Sequence, residues 1–172
     1  MNPNIFRPYQ VIEQTKTYLQ LEETRFRKIF LFSFFKVYPL LMIAGIIAML
    51  LAFDFPLTQK LMICGIGLIF IWTIIFKKYI EEVKISNHEI TVNFQSFWGK
   101  KSKTLLINEI ENIAIETYLI NHAGGYYYRI KLKNSKTQIP LLSIPSWYIN
   151  LQNRENINKT LGEITGLKVI KW

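Results

Sequence analysis

Ile29–Phe53 reads IFLFSFFKVYPLLMIAGIIAMLLAF, a run whose single charge is Lys36. At about 1.5 Å of rise per residue, a helix of about 25 residues covers the roughly 30 Å of a bilayer's hydrocarbon core. After the connector Asp54–Lys60 comes Leu61–Phe76, LMICGIGLIFIWTIIF, uncharged and bounded by Lys60 and by Lys77 and Lys78. That run is short, but lysine stems snorkel and the helix can extend, so a second span is expected over 61–78. The alternative is a buried helix pair in a soluble domain. Both segments are apolar on all faces, however, and the roughly ninety residues that follow are too few to cover them.

The flanks orient the pair. Arg25, Arg27 and Lys28 precede the first run, Lys77 and Lys78 follow the second, and the connector has one lysine and one aspartate. The positive-inside bias predicts an integral membrane protein with both termini cytoplasmic and the lipid bilayer as its first partner. The net charge of +9, from 21 Lys+Arg against 12 Asp+Glu in 172 residues, is largely accounted for by that bias, so nucleic acid is not expected as a partner. A cleaved signal peptide is not expected, because the first run begins only at residue 29 and lacks a small-residue cleavage pattern. Lys36, about two turns into the first span, either snorkels to the headgroups or faces a partner, and Pro39 reads as a tolerated kink.

Ahead of the first span, residues 1–28 read as a cytoplasmic amphipathic arm. Ile12, Leu19 and Phe26 recur every seven residues and predict a helix over 8–28, lying on the lipid surface or on the cytoplasmic domain.

From residue 79 the apolar period changes from helical to alternating. Ile90, Val92 and Phe94, then Ile113 and Ile115, then Tyr126, Tyr128, Ile130 and Leu132 each alternate with polar neighbours. Strands are expected over 80–86, 89–97, 103–107, 112–120, 125–133 and 137–143, with Pro140 demoting the last to an edge or a bulge. Ser146 can cap a helix to Thr165 whose buried stripe is Trp147, Leu151, Ile157, Leu161 and Ile164, with Gly166 ending it. Leu167, Val169 and Trp172 either add a strand or pack. Gly124 and Gly125 are expected to supply the positive φ angles of a hairpin turn. The fold class is therefore an α+β membrane protein: a transmembrane hairpin (29–53 and 61–78), then an antiparallel β-sandwich or barrel with a C-terminal capping helix over 79–172.

YIEEVKISNHEITVNFQSFWGKKSKTLLINEIENIAIE, residues 79–116, resembles the bacterial pleckstrin-homology-like domains that follow a two-span anchor. The matching parts are a strand at Val83–Ile85, a tight turn at Asn87-His88, a strand ending at Gly99, the basic loop Lys100–Lys103 and the segment Ile107–Ile113. The resemblance implies a module in the bacterial cytoplasmic membrane that binds a protein partner, a second copy of itself or the membrane surface, without catalysis. The two-span architecture is similar also to the photosystem I assembly factor of chloroplasts and cyanobacteria, which implies an assembly or transport accessory; in the spans themselves, Gly45, Gly65 and Gly67 are small residues that can pack against other helices.

The residues offer little to an enzyme. There is one aspartate, His88 and His122 fall in predicted turns, and Cys64 lies in the second span as a small apolar filler. No catalytic or cofactor-binding motif and no metal-ligand spacing is present, so no cofactor is expected. Positive charge is the better lead. Lys100, Lys101 and Lys103 lie beside Trp98 in one predicted loop, and Arg129, Lys131 and Lys133 share a strand face with Tyr127. A basic loop with an exposed aromatic suits an anionic lipid surface, at about 1 kcal/mol per basic residue; the plainer reading is a solvated polar face.

Overall fold

Alternating burial begins earlier in the chain than its helical-looking spacing suggests. The structure is a computed structural model that describes residues 6–120, 123–146 and 151–171. Two strands, β1 (Tyr9–Gln14) and β2 (Tyr18–Glu23), precede the apolar helices. Along β2, Leu19, Leu21 and Glu23 are buried while Tyr18, Gln20 and Glu22 are half-buried, as in a strand with one face on a core. β1 and β2 pair antiparallel, and β2 pairs antiparallel with β3 (Lys78–Ser86), with Leu21 opposite Val83.

The helix expected over 8–28 is thus corrected to a β-hairpin. Of its supposed stripe only Leu19 is buried, whereas Ile12 is 50% and Phe26 82% exposed. Strand pairing wins because it places Leu19 and Leu21 on the core face together, which seven-residue spacing cannot do. The β domain consequently is not confined to 79–172. It includes the chain up to Thr24, and the apolar helices are an insertion between its second and third strands.

β4 (Glu89–Ser96) and β5 (Gly99–Leu106) complete a five-stranded sheet in the order β1-β2-β3-β4-β5. A second sheet contains β6 (Ile110–Ile120), β7 (Ala123–Leu132), β8 (Gln138–Pro145) and β9 (Val169–Lys171), ordered β8-β7-β6-β9. The six strands expected between 80 and 143 correspond to β3 to β8. Pro140 lies in the edge strand β8, where the register shifts between Tyr128 and Arg129 of β7, so it occupies both an edge and a bulge. The expectation of purely antiparallel pairing is corrected by β9, which joins β6 in parallel, Ile113 facing Val169.

Leu21, Val83, Ile85 and Val92 of the first sheet and Ile113, Ile115, Ile130 and Leu142 of the second belong to one apolar core, closed by Ile157, Leu161 and Ile164 of α4 (Leu151–Thr165). α4 ends at Gly166, whose left-handed φ of 69° lets its N–H bond the Gly162 carbonyl at 2.8 Å. Trp147, expected in the same stripe, lies outside the described residues, as do His122 and Trp172. Gly125 is not a turn glycine. It sits within β7 opposite Tyr118, and an added Cβ would overlap the Tyr118 phenol ring.

Leu21→Ala tests the N-terminal hairpin's place in the sheet. A buried strand leucine should cost about 2–5 kcal/mol, read as a lower denaturation midpoint of the detergent-solubilised chain. A loss within about 0.5 kcal/mol, the usual surface value, would contradict the pairing.

Candidate functional site

Pro39 withholds a backbone donor, and its ring crowds the carbonyl one turn back. Just ahead of it the helix widens: a π-helical turn, Ser33–Val37, lies between α1 (Arg25–Phe32) and α2 (Tyr38–Ala52). The wider turn accommodates the proline without breaking the helix over Arg25–Ala52. α3 (Leu57–Ile75) follows, and Gly67 of α3 makes room for the Ile46 side chain of α2.

Both helical segments are long and apolar enough to cross a membrane, yet only 11% and 17% of their apolar windows are buried. A helix pair in the core of a soluble domain would be mostly covered, and these helices are covered far less than that within the chain. Leu40, Leu41, Leu51, Leu61, Ile69 and Trp72 are among the large apolar side chains left exposed. Aromatic rings collect where the segments meet the flanking cations. Phe30, Phe34 and Tyr38 stack in series at 6.3 and 5.8 Å, Phe35 lies 5.1 Å from Tyr79, and Trp72 lies 4.4 Å from Phe76. Arg25, Arg27 and Lys28 open the first segment, and Lys77 and Lys78 close the second. In the connector, Asp54 and Lys60 approach to 3.9 Å.

The tip of the β4–β5 hairpin, Gln95–Lys100, belongs to the same compact unit as the helices. Ser96 donates its hydroxyl to the Gly99 carbonyl at 3.0 Å, and Gly99 takes a left-handed φ of 128° that favours glycine. This turn presents Trp98, 71% exposed, with its ring edge-on to Phe97 at 5.3 Å. Lys36, in the π-helical turn, donates its ammonium to the Phe97 carbonyl and lies 5.2 Å from the centre of the Phe97 ring. The structure thus gives this cation a contact within the chain itself, with a residue far along the sequence.

The two basic clusters differ. Lys100, Lys101 and Lys103 are all exposed on β5, the terminal strand of its sheet. Lysines on an edge strand also discourage edge-to-edge association, so they have a purely structural use. On β7, Arg129 pairs with Glu116 at 3.0 Å and Lys131 with Glu111 at 3.1 Å, while Tyr127 stacks on Tyr118 at 4.3 Å. Two of the cations there are thus matched by carboxylates of β6, and Lys133 lies at the strand's end beside the Glu109 backbone. His88 sits in the β3–β4 turn, its N–H on the Ser86 hydroxyl at 3.2 Å. Among the described residues no three His, Cys, Asp or Glu side chains gather as metal ligands.

Sequence reading missed Arg154, Asn158 and Lys171, which line a cavity beside β6. Their spacing follows no motif, and Lys171 reaches the cavity only because β9 pairs with β6. Known family models do not match the chain, and no curated protein is similar to it in sequence.

Lys36→Met removes the ammonium and keeps the stem. Amide exchange in the 97–99 turn should rise about tenfold, as loss of a charged hydrogen bond implies, with β-core exchange unchanged. Equal exchange in the turn would remove Lys36 as its anchor.

Proposed function

We propose that this is a non-enzymatic membrane protein. Its helical pair crosses the cytoplasmic membrane as a hairpin and holds a pleckstrin-homology-like domain at the cytoplasmic face, where the domain meets a protein partner, a second copy or the bilayer surface. The observation that carries this reading is the exposed apolar surface of the two helices. At about 1.5–3 kcal/mol per large apolar side chain, leaving that surface in water costs tens of kcal/mol, far more than the net stability of a domain.

Two further features support it. The aromatic rings and cations gather at the ends of the helical segments that join the β domain, as at a cytoplasmic membrane interface. The pairing of β2 with β3 requires the inserted helices to leave the sheet and return to it, which suits an even number of crossings. Two sheets, antiparallel apart from β9, and a packed helix support the pleckstrin-homology-like assignment; the helices inserted after β2 and the parallel strand β9 depart from the expected order. The exposed Trp98 with Lys100, Lys101 and Lys103 is the surface for contact.

Alkaline carbonate extraction of membranes should leave the chain in the pellet, and its appearance in the supernatant would overturn the anchoring. In anionic nanodiscs, brominated lipid should quench part of the tryptophan emission, and Trp98→Phe should remove that part if the turn touches lipid. Unchanged quenching, with lysine cross-links from Lys100 or Lys101 to another polypeptide, assigns the turn to a protein.

A second reading, the assembly accessory, draws on the glycines. An added Cβ at Gly45 or Gly65 meets nothing within 4 Å, so these two positions are not consumed by packing inside the hairpin, unlike Gly67. Under this reading Gly45→Leu and Gly65→Leu abolish complex formation in membranes while the β domain keeps its melting midpoint. If complexes survive both substitutions, the hairpin is an anchor alone.

A further inference from the structure

Beside β6, α4 and β9 lies a cavity of about 110 Å³ whose polar lining residues, among the described ones, can all donate hydrogen bonds. Ile115 and Val169 form apolar wall, and Thr117, Tyr126, Arg154, Asn158 and Lys171 supply the rest. No carboxylate lines it among the described residues. Arg154 is held over the Tyr126 ring, its guanidinium carbon 5.6 Å from the ring centre, which orients the planar fork without neutralising it. Asn158 is oriented by a hydrogen bond of its own. The fully buried Tyr128 donates its hydroxyl to Asn158 Oδ1 at 3.1 Å, which occupies the amide's acceptor and leaves its Nδ2 hydrogens for another group. Burial pushes the Tyr128 phenol well above its ordinary range, so this hydroxyl stays protonated and continues to donate.

We infer that this cavity is a binding site for a single phosphate-sized oxyanion, gripped by Arg154, Lys171 and the Asn158 amide. Donors beside two cations, set against the apolar wall of Ile115 and Val169, are the chemistry that recognises such a group. The volume admits one phosphoryl group and excludes a whole nucleotide. The inference concerns the β domain alone and does not depend on whether the helices cross a membrane. The oxyanion is either free phosphate or the phosphomonoester of a lipid headgroup, and one chemistry serves both.

The full chain in detergent is titrated calorimetrically with inorganic phosphate, and in nanodiscs with and without phosphatidic acid. Saturable phosphate binding that Arg154→Gln weakens at least about tenfold, the loss of one charged hydrogen-bonding partner, supports the site. Asn158→Asp, which keeps the shape and adds a negative charge, should abolish binding and decides the matter if the arginine variant does not fold. Arg129→Gln, at an ion pair outside the cavity lining, serves as the control and should bind as the parent does. Phosphate affinity lowered in phosphatidic acid nanodiscs marks the lipid headgroup as competitor for the site, and unchanged affinity marks the free ion as ligand. No binding at millimolar phosphate, or binding indifferent to both cavity substitutions, overturns the inference.

Discussion

β2 and β3 lie side by side in one sheet, Leu21 against Val83 and Glu22 against Glu82, and this pairing governs the rest of the molecule. A chain that leaves the sheet after Glu23 must come back to it at Lys78. Whatever lies between them runs out and returns. The apolar segments form one excursion between two strands that pair in the same sheet. The same ladder buries Leu19 and Leu21 completely and brings the N-terminal hairpin into the core shared by both sheets.

Charge in this protein is sorted by register. Lys131 and Arg129 stand on β7 across from β6, whose Glu111 and Glu116 lie within 3.1 and 3.0 Å of them. Pairs of this exposed kind add at most about 1 kcal/mol of stability, but they leave little field for attracting an anion. The cations of β5 have a different setting, exposed on the last strand of the first sheet. Arg154 and Lys171 differ again: they line a small cavity in which the other polar side chains among the described residues can donate hydrogen bonds. A basic composition thus resolves into matched, exposed and convergent cations, and each kind permits a different partner.

Lys36 shows how one charge is accommodated in an otherwise apolar helix. An ammonium there is costly unless it is hydrogen-bonded, and the π-helical turn beside Pro39 is where it meets the Phe97 carbonyl and ring. In the proposed arrangement this contact also fixes the turn that presents Trp98. Anchor and contact surface would then be joined by a side chain whose polarity is otherwise a liability.

Periodicity alone determined much of this protein. Unbroken apolar runs made the two helices legible, alternation gave β3 to β8 within a few residues, Pro140 announced an edge, and Gly166 announced the end of α4. These signals are local, since each arises from a segment's own period or backbone freedom. The apolar residues of the N-terminal strands are few and admit two periods, and only the ladder with β3 selects between them. The partner of Lys36, the pairing of the β7 cations and the donor-lined cavity were decided by tertiary structure. Lys36 and Phe97 are far apart in sequence, the β7 cations meet their carboxylates only through the hairpin register, and Lys171 joins the cavity only through β9, so local periodicity shows none of them.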